Sequence, residues 1–449
     1  MSRTTTAADA PLLANPYFVK EVRFPSGERM PLMVRRSTGV AIEAPCYWIT
    51  SERRPLGIQA STLQQELRAL TFLYLWGDKC GTDPVAILQS PAFLTLNQLN
   101  DLDRFCRNTA SAAIRQALAA ASGNVVRITG GCHAKSAALP GRMQLRNRMA
   151  SIHSFMDHVS CDHLSRLAPG TEAHRIYQHA RSEMLEKWAG RCKSLDPSDL
   201  QDPRKGLDEA ASLRLREVIR PDSPDNAWQP EVRHRNGLMV LMLWSLGLRR
   251  GELLALETRD IRFTADQAFV QIVRRPDNRA DHRRPRPSVK TLGRELLLEQ
   301  GLADLLRAYI MGQRREHPAA RKHPFVFVSA ADGSPLGLSA FNKLFDKLRL
   351  RVTDLPADLS PHIMRHSWND TFSKLSDRAN PRRTDVERTQ EERMRAYLMG
   401  WSANSKMAVR YSRRWLAEEA NKRLLSLQQS QVFVGDPTPD PPGDADDQP

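Results

Sequence analysis

The stretch LGLRRGELLAL, residues 246–256, closes the longest apolar run of the chain, Leu238–Leu248, and sets Arg249 and Arg250 directly behind it. Glu252 follows Arg249 by three residues, close to one helical turn. The spacing predicts an apolar helix over 231–246. The run is about half of the ~20 residues that a bilayer span needs, and it contains Ser245 and Gly247, so it belongs in a protein core. Read alone, an arginine in such a helix is most often a surface residue or the partner of an acid, as Glu252 is for Arg249. The stretch gains meaning only from what stands around it.

The chain has 449 residues, 26% of them charged and 41% hydrophobic. It is too long for one ordinary core and too apolar for a disordered chain, so two or three packed domains are expected. Its 66 Lys and Arg exceed its 51 Asp and Glu, a formal net charge of +15 with only 6% aromatic residues. That balance points to a polyanionic partner more than to a small apolar ligand. The first residues, MSRTTTAADAPLLANPYF, lack the apolar core of a secretory signal, so a cytoplasmic or nucleoid location and no membrane association are expected. The six cysteines form no Cys-x-x-Cys pair, which argues against a disulfide framework or a zinc ribbon. Cys132, Cys161, His163 and Cys192 are the only group to weigh as a metal site, and their spacing is looser than that of structural zinc ligands.

The period of the apolar residues divides the chain. Residues 1–55 read as an N-terminal extension with a hairpin at 17–36, turning at Pro25-Ser26-Gly27. From Ser61 the period is helical, with Leu63, Leu67, Leu70 and Tyr74 on one face and Thr62 to Gln65 spaced as a capping box. A second stripe runs through Leu145, Met149, Ile152, Met156 and Val159. Arg146 and Arg148 lie off that stripe and face solvent or DNA, so 56–165 is expected to be a helical DNA-binding domain. Residues 166–206 read as a connecting segment ending in the linker SLDPSDLQDPRKG, 194–206. The unit 207–430 mixes helices with short strands near 269–273 and 325–328. Residues 431–449 read as a disordered acidic, Pro-rich tail. The expected class is mainly α with a small antiparallel β-sheet. No repeat of fixed period and no Walker-type phosphate loop is present, which removes the simplest ATPase reading.

Four segments of the second unit stand out in order: LGLRRGELLAL at 246–256, RPSVKTLGREL at 286–296, SPHIMRHSW at 360–368 and LMGWSANSKMAVRYSRR at 398–414. In this order, and with these residue types, the chain resembles the tyrosine recombinases, also called the phage integrase family, over roughly residues 207–425. The resemblance implies a helical core-binding domain ahead of a mixed α+β catalytic domain. It matches Arg249 to the family's first catalytic arginine, Glu252 to the acidic residue that supports it, and Lys290 to the lysine of the β-hairpin. It also matches His362 and Arg365 to the His-x-x-Arg pair, Trp401 to a position held by His or Trp, and Tyr411 to the nucleophile. The chain departs from the pattern twice: Trp401 to Tyr411 is one residue longer than usual, and Asp377–Arg395 reads as a charged surface insertion.

The chemistry asks for such residues independently. Attack on a phosphodiester builds up charge that has to be neutralised from several directions, and the planar arginine fork does this bidentately, so Arg249 and Arg365 are expected to clamp the two non-bridging oxygens. A phenol is a poor nucleophile at neutral pH but a fair leaving group, which suits a covalent link that is later reversed. Lys290, the only lysine between Arg249 and Lys322, is the natural proton donor to the departing 5′ oxygen. His362 would assist the tyrosine proton or hold a phosphate oxygen, and Trp401 would pack against the site. Tyr397 is the main rival of Tyr411, but its helical run, Met394–Met399, reads as core. In the run VRRPDNRADHRRPRPSVK, 273–290, Arg283, Arg284 and Arg286 are expected to contact DNA backbone, as are Arg410 and Arg413 beside Tyr411.

The resemblance further implies a homotetramer on double-stranded DNA with paired inverted sites, a Holliday-junction intermediate, and accessory DNA-bending or partner recombinase proteins. Because the phosphotyrosyl bond conserves its energy, no cofactor and no metal are expected. Two other readings stay open at this point. One is a type IB topoisomerase-like nicking-closing enzyme; the other is a DNA-binding protein without catalytic activity.

Overall fold

Alternating residues in YFVKEVR and RMPLMVR build strands β1 (Tyr17–Arg23) and β2 (Arg29–Arg35), antiparallel with Tyr17 opposite Arg35 and Arg23 opposite Arg29. The computed structural model describes residues 14–121, 139–195, 206–379, 384–402, 405, 424–425 and 427–428. The chain divides into two compact units, residues 1–201 with 277–279, and residues 202–276 with 280–449.

In the first unit the hairpin is followed by α1 (Glu43–Trp48), α2 (Ala60–Cys80), α3 (Pro84–Leu88), α4 (Leu96–Cys106), α5 (Ala110–Ala121), α6 (Arg142–Arg166) and α7 (Glu172–Lys193). Both stripes seen in the sequence are buried: Leu63, Leu67 and Leu70 on α2, and Met149, Ile152 and Met156 on α6. They share one core with Tyr17 and Met33 of the hairpin and with Met184, Leu185 and Trp188 of α7. A hairpin assigned to an extension and a helix assigned to a connecting segment therefore both pack on the helices of 56–165, because each presents an apolar face that needs covering. Helix α2 starts at Ala60 with Gln59 as its N-cap, which places Thr62 inside the first turn. The capping box is found instead at α4, where Thr95 and Gln98 bond each other's backbone N–H groups.

The second unit holds α8 (Glu209–Val218), α9 (Pro230–Leu246), α10 (Arg250–Ala255), strands β3 (Ile261–Phe263), β4 (Ala268–Ile272) and β5 (Arg294–Leu298), then α11 (Gln300–Met311), α12 (Gln313–Glu316), α13 (Leu338–Arg351), α14 (Pro361–Ala379) and α15 (Asp385–Met399). The three strands form an antiparallel sheet in the order β3-β4-β5, with Val270 opposite both Ile261 and Leu296. One face of β4 and β5 is buried through Ala268, Val270, Ile272, Leu296 and Leu298, and Arg294 occupies the first position of that same face. Residues 325–328, expected as a strand, make only isolated bridges, Phe325 to Glu257 and Val328 to Pro335. Pro335 has no N–H to extend a ladder.

Among its described residues the segment expected as a charged surface insertion is mostly exposed, as that reading requires, and only its last residue, Arg395, is buried. Helix α15 opens on a Thr384/Glu387 capping box, and its Arg395 is 1% exposed, bonding Ser373 and paired with Glu391. Among the described residues no helix is long and apolar enough to cross a membrane, and no three His, Cys, Asp or Glu side chains gather to hold a metal ion.

Candidate active site

Helix α9 ends where Gly247 takes the left-handed conformation, φ +60°, a cap that a residue with a Cβ adopts only with strain. A Cβ there would also lie 3.0 Å from the Trp368 ring and 2.5 Å from the flexible end of Met399. The chain reverses through Leu248, and Arg249 becomes the extended N-cap residue of α10. The Arg249 N–H donates to Glu252 Oε2 at 2.9 Å, so the carboxylate at the third helical position closes the helix start and fixes the arginine's backbone. Arg249 Nη1 lies 3.6 Å from Glu252 Oε1, with the side chain about one third exposed.

Glu252, 1% exposed, is the hub of the site. Thr291 Oγ1 donates to its Oε1 at 2.6 Å, Arg294 Nη2 donates to its Oε2 at 2.9 Å, and Arg365 Nη1 stands 4.0 Å from Oε2. Burial alone would raise this carboxyl, but Arg294, Arg365 and the Thr291 hydroxyl together hold it below the ordinary carboxylate value. One anion therefore ties α10, the loop bearing Lys290 and helix α14 to a single point.

Arg365, 3% exposed on α14, donates to the carbonyls of Gly247 at 2.5 Å and Met399 at 2.8 Å, and its guanidinium lies 5.7 Å from the centroid of the Trp401 ring. It thus joins the ends of α9 and α15. His362 precedes Arg365 by one turn on α14 and is exposed, with its ring 4.3 Å from that of His366 in an edge-on arrangement. Trp401, 7% exposed, packs with Met399 and Trp368, and its backbone N–H donates to Ala396 O at 2.9 Å.

Lys290 sits outside any strand, exposed, between buried Val289 and buried Thr291. Its loop lies directly against α10, because the Ser288 carbonyl occupies the space where a Cβ at Gly251 would be, 2.3 Å from that position. Only glycine permits this approach. Gly251→Val is expected to push the two segments apart and to lower DNA cleavage by about 10²-fold with little change in DNA binding. Single-turnover cleavage beside a binding isotherm checks this, and cleavage at the unaltered rate would show that the close approach is irrelevant.

The structure thus brings together Arg249, Glu252, Arg365, Trp401 and the backbone carrying Lys290. Tyr411, Arg410 and Arg413 lie outside the described residues. Tyr397, read as core, is in fact 57% exposed, its hydroxyl 3.4 Å from Glu295 O.

The DNA-binding assignments divide. Arg148 is 7% exposed, bonds the carbonyls of Cys106, the last residue of α4, and of Asn108 just beyond it, and lies 3.5 Å from the Phe72 ring centroid. Arg283 is engaged with Asp281 and with the carbonyls of Leu254 and Leu336. Both guanidiniums serve the protein's own fold, because buried carbonyls need donors and a planar fork supplies several. Arg284 is exposed, and Arg146 and Arg286 are half-buried. Sequence reasoning missed Thr291 and Arg294. Their signal was the position of Arg294 at the head of the alternating strand RELLL, where burial of every second residue includes it.

Two arginines, a buried acid and a lysine loop are groups suited to neutralising and protonating a phosphodiester. Residues 226–374, which include Arg249, Glu252, Lys290, His362 and Arg365, match the model of the phage integrase family, and this part of the chain is a domain of that family. A comparison with curated protein sequences gives no match. Among solved structures, the chain is similar to the Tn1549 transposon integrase in complex with transposon right end DNA, at 13% identity and a TM-score of 0.44 over 84% of this chain and 100% of that one. It is similar also to the XerH site-specific recombinase bound to its difH substrate in a pre-cleavage complex, at 16% identity and a TM-score of 0.37 over 78% and 95% of the two chains.

Proposed function

We propose that the protein is a site-specific recombinase of a mobile genetic element that cuts and rejoins DNA with Tyr411 as nucleophile. The observation that carries the reading is the convergence on Glu252 of Arg249, Arg365 and the Lys290 loop. The site can meet a phosphodiester with two arginine forks and one proton donor. The Tyr411 oxygen attacks phosphorus and gives up its proton to His362 or water. The P–O5′ bond breaks, its electron pair stays on O5′, and that oxygen takes a proton from Lys290 Nζ. A 3′-phosphotyrosyl link and a free 5′ hydroxyl result. Attack by the 5′ hydroxyl of a partner strand reverses the step, with Lys290 now receiving the proton, and passes through a Holliday junction.

The setting we propose is a bacterial nucleoid, a homotetramer on paired inverted DNA sites, and accessory DNA-bending or partner recombinase proteins. The net charge of +15 supports a DNA partner. Arg146, Arg284, Arg286, Arg410 and Arg413 remain the arginines proposed to touch DNA backbone, while Arg148 and Arg283 are withdrawn from that set.

The test is a nicked suicide substrate that traps the covalent adduct. Wild-type protein is expected to form it and Tyr411→Phe to form none, with DNA binding retained. An adduct that persists in Tyr411→Phe, or no adduct with wild type on a site it binds, overturns the proposal.

A further inference from the structure

The loop between β4 and β5 delivers Lys290 without a strand ladder to hold it. Residues 273–293 form no regular element, so the position of Lys290 depends on side-chain and single backbone ties. The ties nearest the lysine lie at the C-terminal end of the loop. Thr291, the next residue, is 4% exposed and donates to Glu252 Oε1 at 2.6 Å. Arg294, 5% exposed, donates to Glu252 Oε2 at 2.9 Å, to Leu398 O at 2.7 Å through Nε, and to Thr291 Oγ1 at 3.3 Å. Leu292 N–H donates to Gly400 O at 3.0 Å.

A fully buried arginine costs a large desolvation penalty unless it is paired, and burying one here makes sense where a fixed geometry is required. Glu252 also holds the backbone of Arg249, so the carboxylate that sets the phosphate-binding arginine also sets the residue beside the lysine. A surface lysine has four rotatable bonds and would wander without a fixed root. A proton donor has to come within about 2.6–3.2 Å of the oxygen it serves, and a misplacement of about 1 Å can cost about 10²-fold.

We infer that Thr291 and Arg294 are positioning residues for proton donation: joined through Glu252, they fix the root of Lys290 against the start of α10. The inference rests on the reading of Lys290 as the acid that protonates the leaving 5′ oxygen. Neither residue touches the DNA in this role; each acts through Lys290.

The test pairs an ordinary DNA substrate with one in which sulfur replaces the bridging 5′ oxygen. The sulfur departs as a thiolate and needs no proton, so a defect confined to proton donation disappears on that substrate. On ordinary DNA, Thr291→Val and Arg294→Lys are expected to slow single-turnover cleavage by about 10- to 10²-fold at unchanged DNA affinity. On the sulfur substrate both are expected to come within about threefold of wild type, as is Lys290→Ala. Arg249→Ala is expected to stay slow on both, since it acts on the phosphate itself.

Thr291→Val removes one hydroxyl with little change in shape, so it carries the test if Arg294→Lys fails to fold by thermal melting. Two outcomes overturn the inference while leaving the role of Lys290 intact: Thr291→Val cleaving ordinary DNA at the wild-type rate, or staying slow on the sulfur substrate while Lys290→Ala is restored. Failure of the sulfur substrate to restore Lys290→Ala overturns the acid assignment, and the inference with it.

Discussion

Glu252→Gln is expected to lower the melting transition of the catalytic unit by roughly 10 °C at neutral pH. The variant keeps the shape of the side chain but removes the charge opposite Arg294, whose side chain is entirely buried. Breaking such a pair from one side leaves an uncompensated cation in the core and costs about 3–5 kcal/mol, far more than an exposed pair. A neutral amide also presents two N–H donors where the carboxylate presents acceptors to Arg249, Thr291 and Arg294, so one of those bonds is lost or becomes a repulsive contact. The dependence on pH has a definite sign. Because the folded-state carboxyl is held below its unfolded value, its contribution is fully present above the ordinary carboxylate range and is lost as the pH falls through the lowered value. The melting difference between wild type and variant should therefore be full at neutral pH and narrow at acid pH. A difference that stays constant across that range would remove charge from the explanation.

Arg365→Ala is expected to reduce formation of the covalent adduct by about 10³-fold, the upper end of what one preorganised donor contributes, and also to destabilise the unit. The stability loss follows from what the guanidinium holds: the buried carbonyls of Gly247 and Met399 lose their donor, at about 1–3 kcal/mol for each group left unsatisfied. Arg365→Lys should not rescue the activity. An ammonium is a single point and cannot span the Gly247 and Met399 carbonyls while also presenting a flat face to Trp401. Adduct yield under single-turnover conditions, measured on protein confirmed to be folded at the assay temperature, separates the two effects. Near-normal cleavage by Arg365→Lys would show that the fork geometry is dispensable.

Much of the fold was legible because apolar spacing fixes which face of a helix is buried: Leu63, Leu67 and Leu70, and Met149, Ile152 and Met156, all lie in the core as their periods require. The four site segments were legible as residue types in order. The errors concern polar residues and the short strands, since 325–328 makes only isolated bridges and β3 and β5 were not foreseen. Arg148, Arg283, Arg294 and Arg395 are all largely or fully buried, whereas an arginine in a sequence carries the expectation of solvent. For Arg148 and Arg294 the partners are distant in sequence, the Asn108 carbonyl and Glu252, and no local pattern encodes them; Arg283 and Arg395 add to a near acid, Asp281 and Glu391, distant partners such as the Leu336 carbonyl and Ser373. Strand β5 was missed for a related reason. RELLLEQ has helical composition, and only its pairing with β4 makes it a strand.

The anchoring of the loop between β4 and β5 also sets how it can be redesigned. Arg275 is tied to Asp260, Arg283 to the Leu254 and Leu336 carbonyls, Ser288 fills the gap at Gly251, and Thr291 is bonded to Glu252. Exposed Arg284 and Pro285 fall between the second and third of these anchors. Exchanges of the Arg284 side chain leave all four anchors in place, so a library confined to that position can vary what the loop presents at its surface while leaving the reach of Lys290 unaltered. A graft of the whole loop from another protein would have to carry its own replacements for all four anchors, and its success would depend more on those buried matches than on the residues chosen to read DNA.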